Sequence, residues 1–291
     1  MFSIDDSFFE GALFQCTGND HQCSEIKAVS GGDINDAYTV TTNQGTFFIK
    51  TNGPEVGDMF QKEALGMQTL RETNVIDVPM VIGHGQQSGS PFLVLEHIQK
   101  GAPQPSFWEE FGKSMAELHR HSHHSFGLDH DNFIGRLPQK NTPMDSWIDF
   151  FIENRLEVQL GLAIYNGHIS HQFAEKFRML YSALPGILPE ERPALIHGDL
   201  WSGNFMCNAQ GKACIYDPAI YFGHREMELA FTRLFGGFDR QFYEAYHGNF
   251  PLEPDFEDRV EIYNLYPLLV HVNLFGPSYL SGIKNTINRH T

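Results

Sequence analysis

Three polar residues in the second half of the chain stand at intervals that suit phosphoryl transfer. Asp199 lies within Leu195-Ile196-His197-Gly198-Asp199-Leu200-Trp201-Ser202-Gly203-Asn204-Phe205-Met206, with apolar residues on either side. Asn204 follows five residues later, and Asp217 closes the strand-like run Ala213-Cys214-Ile215-Tyr216. Moving a phosphoryl group asks for positioning and charge neutralisation more than for covalent help from the protein. Asp199 would face the attacking hydroxyl. Asn204 and Asp217 would offer an amide oxygen and a carboxylate to magnesium, an ion that takes oxygen ligands and few protein groups. Each residue alone reads as an ordinary turn or strand-end residue. The interval between Asp199 and Asn204, followed by an apolar run ending in Asp217, carries the functional reading.

This layout resembles the catalytic loop and metal-binding segment of protein-kinase-like phosphotransferases, H-R-D-x-x-x-x-N followed by D-F-G. A longer match is more specific. The stretch HGDLWSGN, then IYDPAIYFGHREMELAFTRLFGGF, resembles the fructosamine kinase (ketosamine kinase) family, and the likeness runs from about Ile26 to about Tyr279. It implies ATP-dependent phosphorylation of a sugar hydroxyl on a ketosamine, the 3-hydroxyl in that family, as a deglycation-type reaction. It also implies a two-lobed protein-kinase-like fold with ATP in the cleft between the lobes. Members often carry a cysteine in the phosphate-covering loop, where this chain has Asp33.

Other elements must place the phosphates. Residues 25–51 read as three strands, with Gly31-Gly32 in the first turn and Asn43-Gln44-Gly45 in the second. Glycines let backbone N–H groups approach phosphates, so Gly31 and Gly32 are candidate nucleotide-binding residues. Lys50 ends the apolar strand Phe47-Phe48-Ile49 and is expected on the α- and β-phosphates. Pro54 to Thr73 reads as a helix with Met59, Phe60, Ala64, Leu65, Met67 and Leu70 on its apolar face. Glu63 on that helix is the expected partner of Lys50. Val78–Ile82 and Pro91–Ile98 read as two further strands, with Gly83-His84-Gly85 as the turn between them. Glu96 to Ile98 falls at the expected hinge, where backbone groups would bind adenine. Residues 1–24 contain a short amphipathic helix.

In the remainder, Trp108–His121 and Trp147–Leu162 read as helices, and residues 125–142 as loop. His119 is expected to pack, with His121, His123 and His124 solvated. Met206 is expected beneath the adenine, and Trp201 to offer a flat apolar face to a sugar ring. Pro218-Ala219 stands where protein kinases have Phe-Gly. A helix begins soon after, at Arg225. That leaves no room for a long activation segment and points to a small-molecule acceptor.

Composition narrows the field. The chain has 291 residues, 41% hydrophobic and 13% aromatic, enough for a sizeable core and two lobes. A net charge of −16 argues against nucleic acid, which demands a basic face. Cys16, Cys23, Cys207 and Cys214 lack zinc-type spacing and are expected as free thiols. No signal peptide or long apolar run is evident, so a cytoplasmic, membrane-free protein is expected. The fold class expected is α+β: an ATP-binding lobe over residues 1–98, with an antiparallel sheet and one main helix, and a mostly helical lobe over 99–291 carrying catalysis and the acceptor. The rival readings are a related kinase acting on an aminoglycoside, choline or simple sugar, and a non-catalytic nucleotide-binding pseudokinase.

Overall fold

The computed structural model describes residues 5–29 and 34–291. The chain divides into two compact units, Met1–Phe107 with Gly203–Pro218, and Trp108–Ser202 with Ala219–Thr291. The expected loop at Gly31 and Gly32 lies outside the described residues.

The first unit is built on a five-stranded antiparallel sheet. Its strands are β1 (Cys23–Ala28), β2 (Asp36–Thr42), β3 (Gly45–Thr51), β4 (Val81–Gln87) and β5 (Ser90–Glu96), in the order β1-β2-β3-β5-β4. Strand side chains alternate between faces. Val40, Ile49, Phe92 and Val94 therefore share one face, which helix α1 (Asp6–Thr17) covers with Phe8, Phe9, Ala12 and Leu13. Lys50, next to Ile49, points to the opposite face. Helix α2 (Met59–Glu72) buries Phe60, Ala64, Met67 and Leu70 at helical spacing, with Glu63 in the same stripe. Leu65 falls off that stripe and is 39% exposed, contrary to expectation.

The turn expected at Gly83–Gly85 is not there. Strand β4 runs straight through it, and the chain reverses at Ser88-Gly89, both with positive φ. The two glycines serve packing instead. A Cβ at Gly83 would lie 2.5 Å from the Cys16 sulfur of α1, and one at Gly85 would lie 3.1 Å from the Phe92 ring.

The second unit is mostly helical. Helix α3 (Phe107–Leu118) leads into it, and residues 125–142 hold a small hairpin, β6 (Asn132–Ile134) and β7 (Leu137–Gln139), rather than loop alone. The expected helix from Trp147 is α4 (Trp147–Phe150), a π-helical segment Phe151–Leu156, and α5 (Glu157–Tyr165). Helix α6 (His171–Ala183) and strand β8 (Ala194–Ile196) follow. The chain then contributes the hairpin β9 (Phe205–Cys207) and β10 (Ala213–Ile215) to the first unit. It returns as β11 (Tyr221–Gly223), antiparallel to β8. Helices α7 (Arg225–Phe231), α8 (Arg240–Asn249), α9 (Phe256–Tyr263), α10 (Leu265–Phe275) and α11 (Leu280–His290) complete it. Among the described residues no helix is long and apolar enough to cross a membrane.

Candidate active site

In the first unit the Lys50 ammonium donates to Glu63 Oε1 at 2.7 Å and also to Asp217 Oδ1. Its side chain is 6% exposed and that of Glu63 11%, while Asp217 is 41% exposed, so one buried cation meets two carboxylates, one buried and one open to water. Burial alone works against an ammonium, but the charges of Asp217 and Glu63 outweigh it and push Lys50 up. Glu63 is buried deeper than Asp217. Burial raises its carboxyl, and the Asp217 charge adds to this, against the pull of Lys50.

The β9–β10 hairpin delivers Asp217. Its ladder pairs Ala213 with Cys207, Cys214 with Met206 and Ile215 with Phe205. One further rung, Tyr216 N–H to the Asn204 carbonyl at 3.0 Å, sets Asn204 beside the chain entering Asp217. Asn208 caps the turn, accepting from the N–H groups of Gln210 and Lys212. Asp77 anchors the hairpin, taking a bond from the Asn208 amide at 2.7 Å and from Ile215 N–H through its carbonyl. Asp217 adopts φ +58°, a left-handed conformation that aspartate tolerates better than most residues. Met206, half-buried, sits mid-strand on β9. At the end of β5, the Glu96 carboxylate accepts from Met80 N–H at 3.1 Å and lies 4.0 Å from Arg71, while Ile98 is partly buried just beyond. The Gly101 N–H donates to the Cys207 carbonyl. A side chain there would strike the Asn208 carbonyl at 2.2 Å, so only glycine allows the approach.

Asp199 and Trp201 belong to the second unit. Strand β8 feeds the Asp199 loop, and β11 leaves it, so their pairing ties both ends of the excursion. The backbone N–H groups of His197 and Gly198 each donate to the Glu228 carboxylate at 2.8 Å. Glu228 also bonds His119 Nε2 at 3.0 Å, and His119 Nδ1 lies 2.8 Å from the Tyr246 hydroxyl. Burial raises a carboxyl, but the His119 bond and the nearby His119 and His197 hold Glu228 below its ordinary value. It is therefore an anion at neutral pH, and His119 Nε2 donates to it. His119 is fully buried, while His121, His123 and His124 are exposed, as expected.

Gly198 has φ +82°, and a Cβ there would lie 2.1 Å from the Ala219 carbonyl. Asp199 itself is half-buried, with its N–H 3.3 Å from His197 Nδ1. Trp201 meets the Phe235 ring edge-on at 6.0 Å. The residue that sequence reasoning passed over is Glu228, and the packing expected of His119 did not include its bond to Glu228. The available signal was Glu226 and Glu228 interleaved with Met227, Leu229, Ala230 and Phe231, in a helix whose every residue is buried.

The family model described as fructosamine kinase matches residues 9–291. A protein named "probable ketoamine kinase" from Synechocystis sp. is 41% identical over 273 residues, 92% of this chain and 90% of that one. The chloroplastic protein-ribulosamine 3-kinase of Oryza sativa subsp. indica is 36% identical, covering 96% of this chain and 80% of its own length. A solved structure named for fructosamine-3-kinase, from Haemophilus somnus, superposes with a TM-score of 0.88 at 30% identity, covering 98% and 97% of the two chains. Aminoglycoside phosphotransferase APH(4)-Ia shares the fold, with a TM-score of 0.64 at 14% identity. The expected two-lobed, protein-kinase-like α+β architecture is thus present, and the chain belongs to the fructosamine kinase family.

Proposed function

We propose that this protein is an ATP-dependent kinase that phosphorylates a sugar hydroxyl of a ketosamine, the 3-hydroxyl being the position favoured. The observation that carries it is the buried Lys50, held by Glu63 on one side and by Asp217 on the other. A cation so placed is fixed in position for the polyphosphate and costs little reorganisation when the nucleotide arrives. The names of the relatives supply the acceptor class, ketoamine kinase and protein-ribulosamine 3-kinase. APH(4)-Ia, of the same fold, is solved with AMP-PNP and hygromycin B, which supports a nucleotide here.

In this reading Lys50 holds the α- and β-phosphates, Glu63 orients Lys50, and Gly31 and Gly32 cover the phosphates. The hinge backbone at Glu96 and Ile98 takes adenine, and Met206 underlies it. The donor set of Asn204 and Asp217 is all oxygen, and the Tyr216–Asn204 rung sets the two residues side by side, so they fit magnesium. They would hold that ion, which would neutralise charge on the phosphates. Asp199 orients the acceptor hydroxyl and takes its proton, while Trp201 stacks on the sugar. The four free cysteines suit a reducing, cytoplasmic setting.

The test is ADP release from Mg-ATP with a fructose-lysine ketosamine. Asp199→Asn is expected to retain nucleotide binding and lose about 10²- to 10⁴-fold in turnover. A variant that turns over at the wild-type rate would refute the role of Asp199. Wild-type turnover on an aminoglycoside, choline or a simple sugar, with none on the ketosamine, would refute the substrate.

A further inference from the structure

The Asp199 loop has a second support besides Glu228. It comes from the β6–β7 hairpin, whose paired residues Asn132 and Gln139 are both buried. Gln139 Nε2 donates to the Ala219 carbonyl at 3.0 Å and to Asn132 Oδ1 at 2.8 Å. The Asn132 amide donates to the next carbonyl, Ile220, at 2.8 Å. The far end of Gln139 is fixed too, since the Tyr266 hydroxyl donates to Oε1 at 2.6 Å. Two side chains of one hairpin thus grip two consecutive carbonyls just after the Asp217 segment.

Ala219 is in turn the residue against which the Asp199 loop rests. Its N–H donates to the His197 carbonyl at 2.9 Å, and its carbonyl is the atom that leaves Gly198 no room for a side chain. Gln139 therefore stands one residue away from the His197-Gly198-Asp199 backbone, on the opposite edge from Glu228. Behind it lies Arg155, fully buried and stacked 3.8 Å from the Tyr221 ring. Arg155 donates to Asn141 Oδ1 at 2.8 Å, and the Asn141 amide donates to Asn132 Oδ1 at 2.9 Å. Burying a cation is costly even with the Asp131 carboxylate near enough to feel its charge, and an apolar side chain would fill the space more cheaply. What the polar network provides in return is a single geometry for Ala219 and Ile220.

We propose that Gln139 is a positioning residue for phosphoryl transfer: by fixing Ala219 it sets where the Asp199 carboxylate points. The proposal rests on Asp199 being the catalytic carboxylate. Gln139 makes no claim on the nucleotide, so its loss should be felt in kcat and not in KM for ATP, because small misplacements of a reacting group slow the chemical step.

The experiment is steady-state kinetics on the full chain, with kcat expressed per nucleotide-binding site by titration with a fluorescent ATP analogue. Wild type, Asp199→Asn, Gln139→Met and Tyr266→Phe are compared. Gln139→Met keeps length and apolar bulk while removing both polar ends. Its kcat per site is expected to fall about 10- to 100-fold with KM for ATP within about twofold. Tyr266→Phe frees only one end of the Gln139 amide. It is the milder variant should Gln139→Met not fold, and it is expected to lose about three- to tenfold in kcat, again at constant KM. An Asp199-dependent reaction whose kcat per site is unchanged in the folded variants overturns this proposal alone. Turnover that survives in Asp199→Asn overturns the underlying reading, and this proposal with it.

Discussion

At the scale of single residues, each unit holds a buried charge by named partners. Lys50 shares one positive charge between two carboxylates, and the deeper of them, Glu63, has its carboxyl raised by that burial. Glu228 is the converse case, an anion held low by donors although it is fully buried. Its two oxygens accept from His197, Gly198 and His119, so both must be acceptors. Glu228→Gln places an NH₂ group where one of them was, and at least one buried donor then faces a donor. An unsatisfied buried group of this kind costs ~1–3 kcal/mol. We expect Glu228→Gln to lose that much stability in urea unfolding and to lower kcat about 10- to 100-fold through movement of the Asp199 loop. Wild-type kcat in a folded Glu228→Gln protein would show that the loop does not need this anchor.

At the scale of elements, the sheet that carries Lys50 is held from its other face by α1. The closeness of that packing explains why β4 continues through Gly83 and Gly85. Nothing in a G-x-G stretch distinguishes a turn from a strand whose glycines admit a neighbouring helix; the neighbour decides. Gly83→Ala would press a methyl group against the Cys16 Sγ at 2.5 Å and Cβ at 2.9 Å. Overpacking of this sort costs ~1–3 kcal/mol. Gly11→Ala on α1 meets only the amide end of Gln87, at 2.3 Å, which can swing away. It also gains helix propensity of about 1 kcal/mol. Thermal melts should place Gly83→Ala below wild type and Gly11→Ala level with it or above. The reverse order would mean that α1 does not seat against β4 as described. The π-helical segment Phe151–Leu156 is a second case. It adds a residue to the turn that carries Arg155, which lies over the Tyr221 ring.

At the scale of the whole molecule, the second unit is held by further buried polar groups besides Glu228. Arg259 makes a bidentate pair with Glu226, both bonds at 2.7 Å, and Arg225 pairs with Glu191 while lying 3.7 Å from the Phe250 ring. Between them His224 is buried, stacked on Trp147 at 4.6 Å and 3.0 Å from the Tyr263 hydroxyl. Burial, and then the charges of Arg225 and Arg259, push its imidazole down to about 3. A histidine whose folded pKa is depressed takes up its proton in the unfolded chain first. Its contribution is fully present above about pH 6.5 and is lost progressively as pH falls toward 3, at about 1.4 kcal/mol per pH unit. We expect urea unfolding of wild type to lose ~2 kcal/mol more between pH 7 and pH 5 than His224→Gln does, because glutamine does not titrate. Parallel pH dependences in the two proteins would show that His224 is not the group responsible.

What the sequence determined by itself is what short-range pattern can carry. The interval from Asp199 to Asn204 and the apolar run into Asp217 are loop and hairpin lengths. Lys50 at a strand end and Glu63 on the apolar stripe of the next helix are read from periods of two and 3.6 residues. Those patterns were enough for the α+β class and for the Lys50–Glu63 pair, which meet at 2.7 Å. The tertiary structure alone decided which distant groups hold the Asp199 loop. Glu228 reaches His119 across 109 positions, and Gln139 reaches Ala219 across 80. Such pairings leave no interval in the sequence, because a buried polar group takes whichever partner the packing of separate elements brings within hydrogen-bond reach, and that packing is a property of the folded chain as a whole.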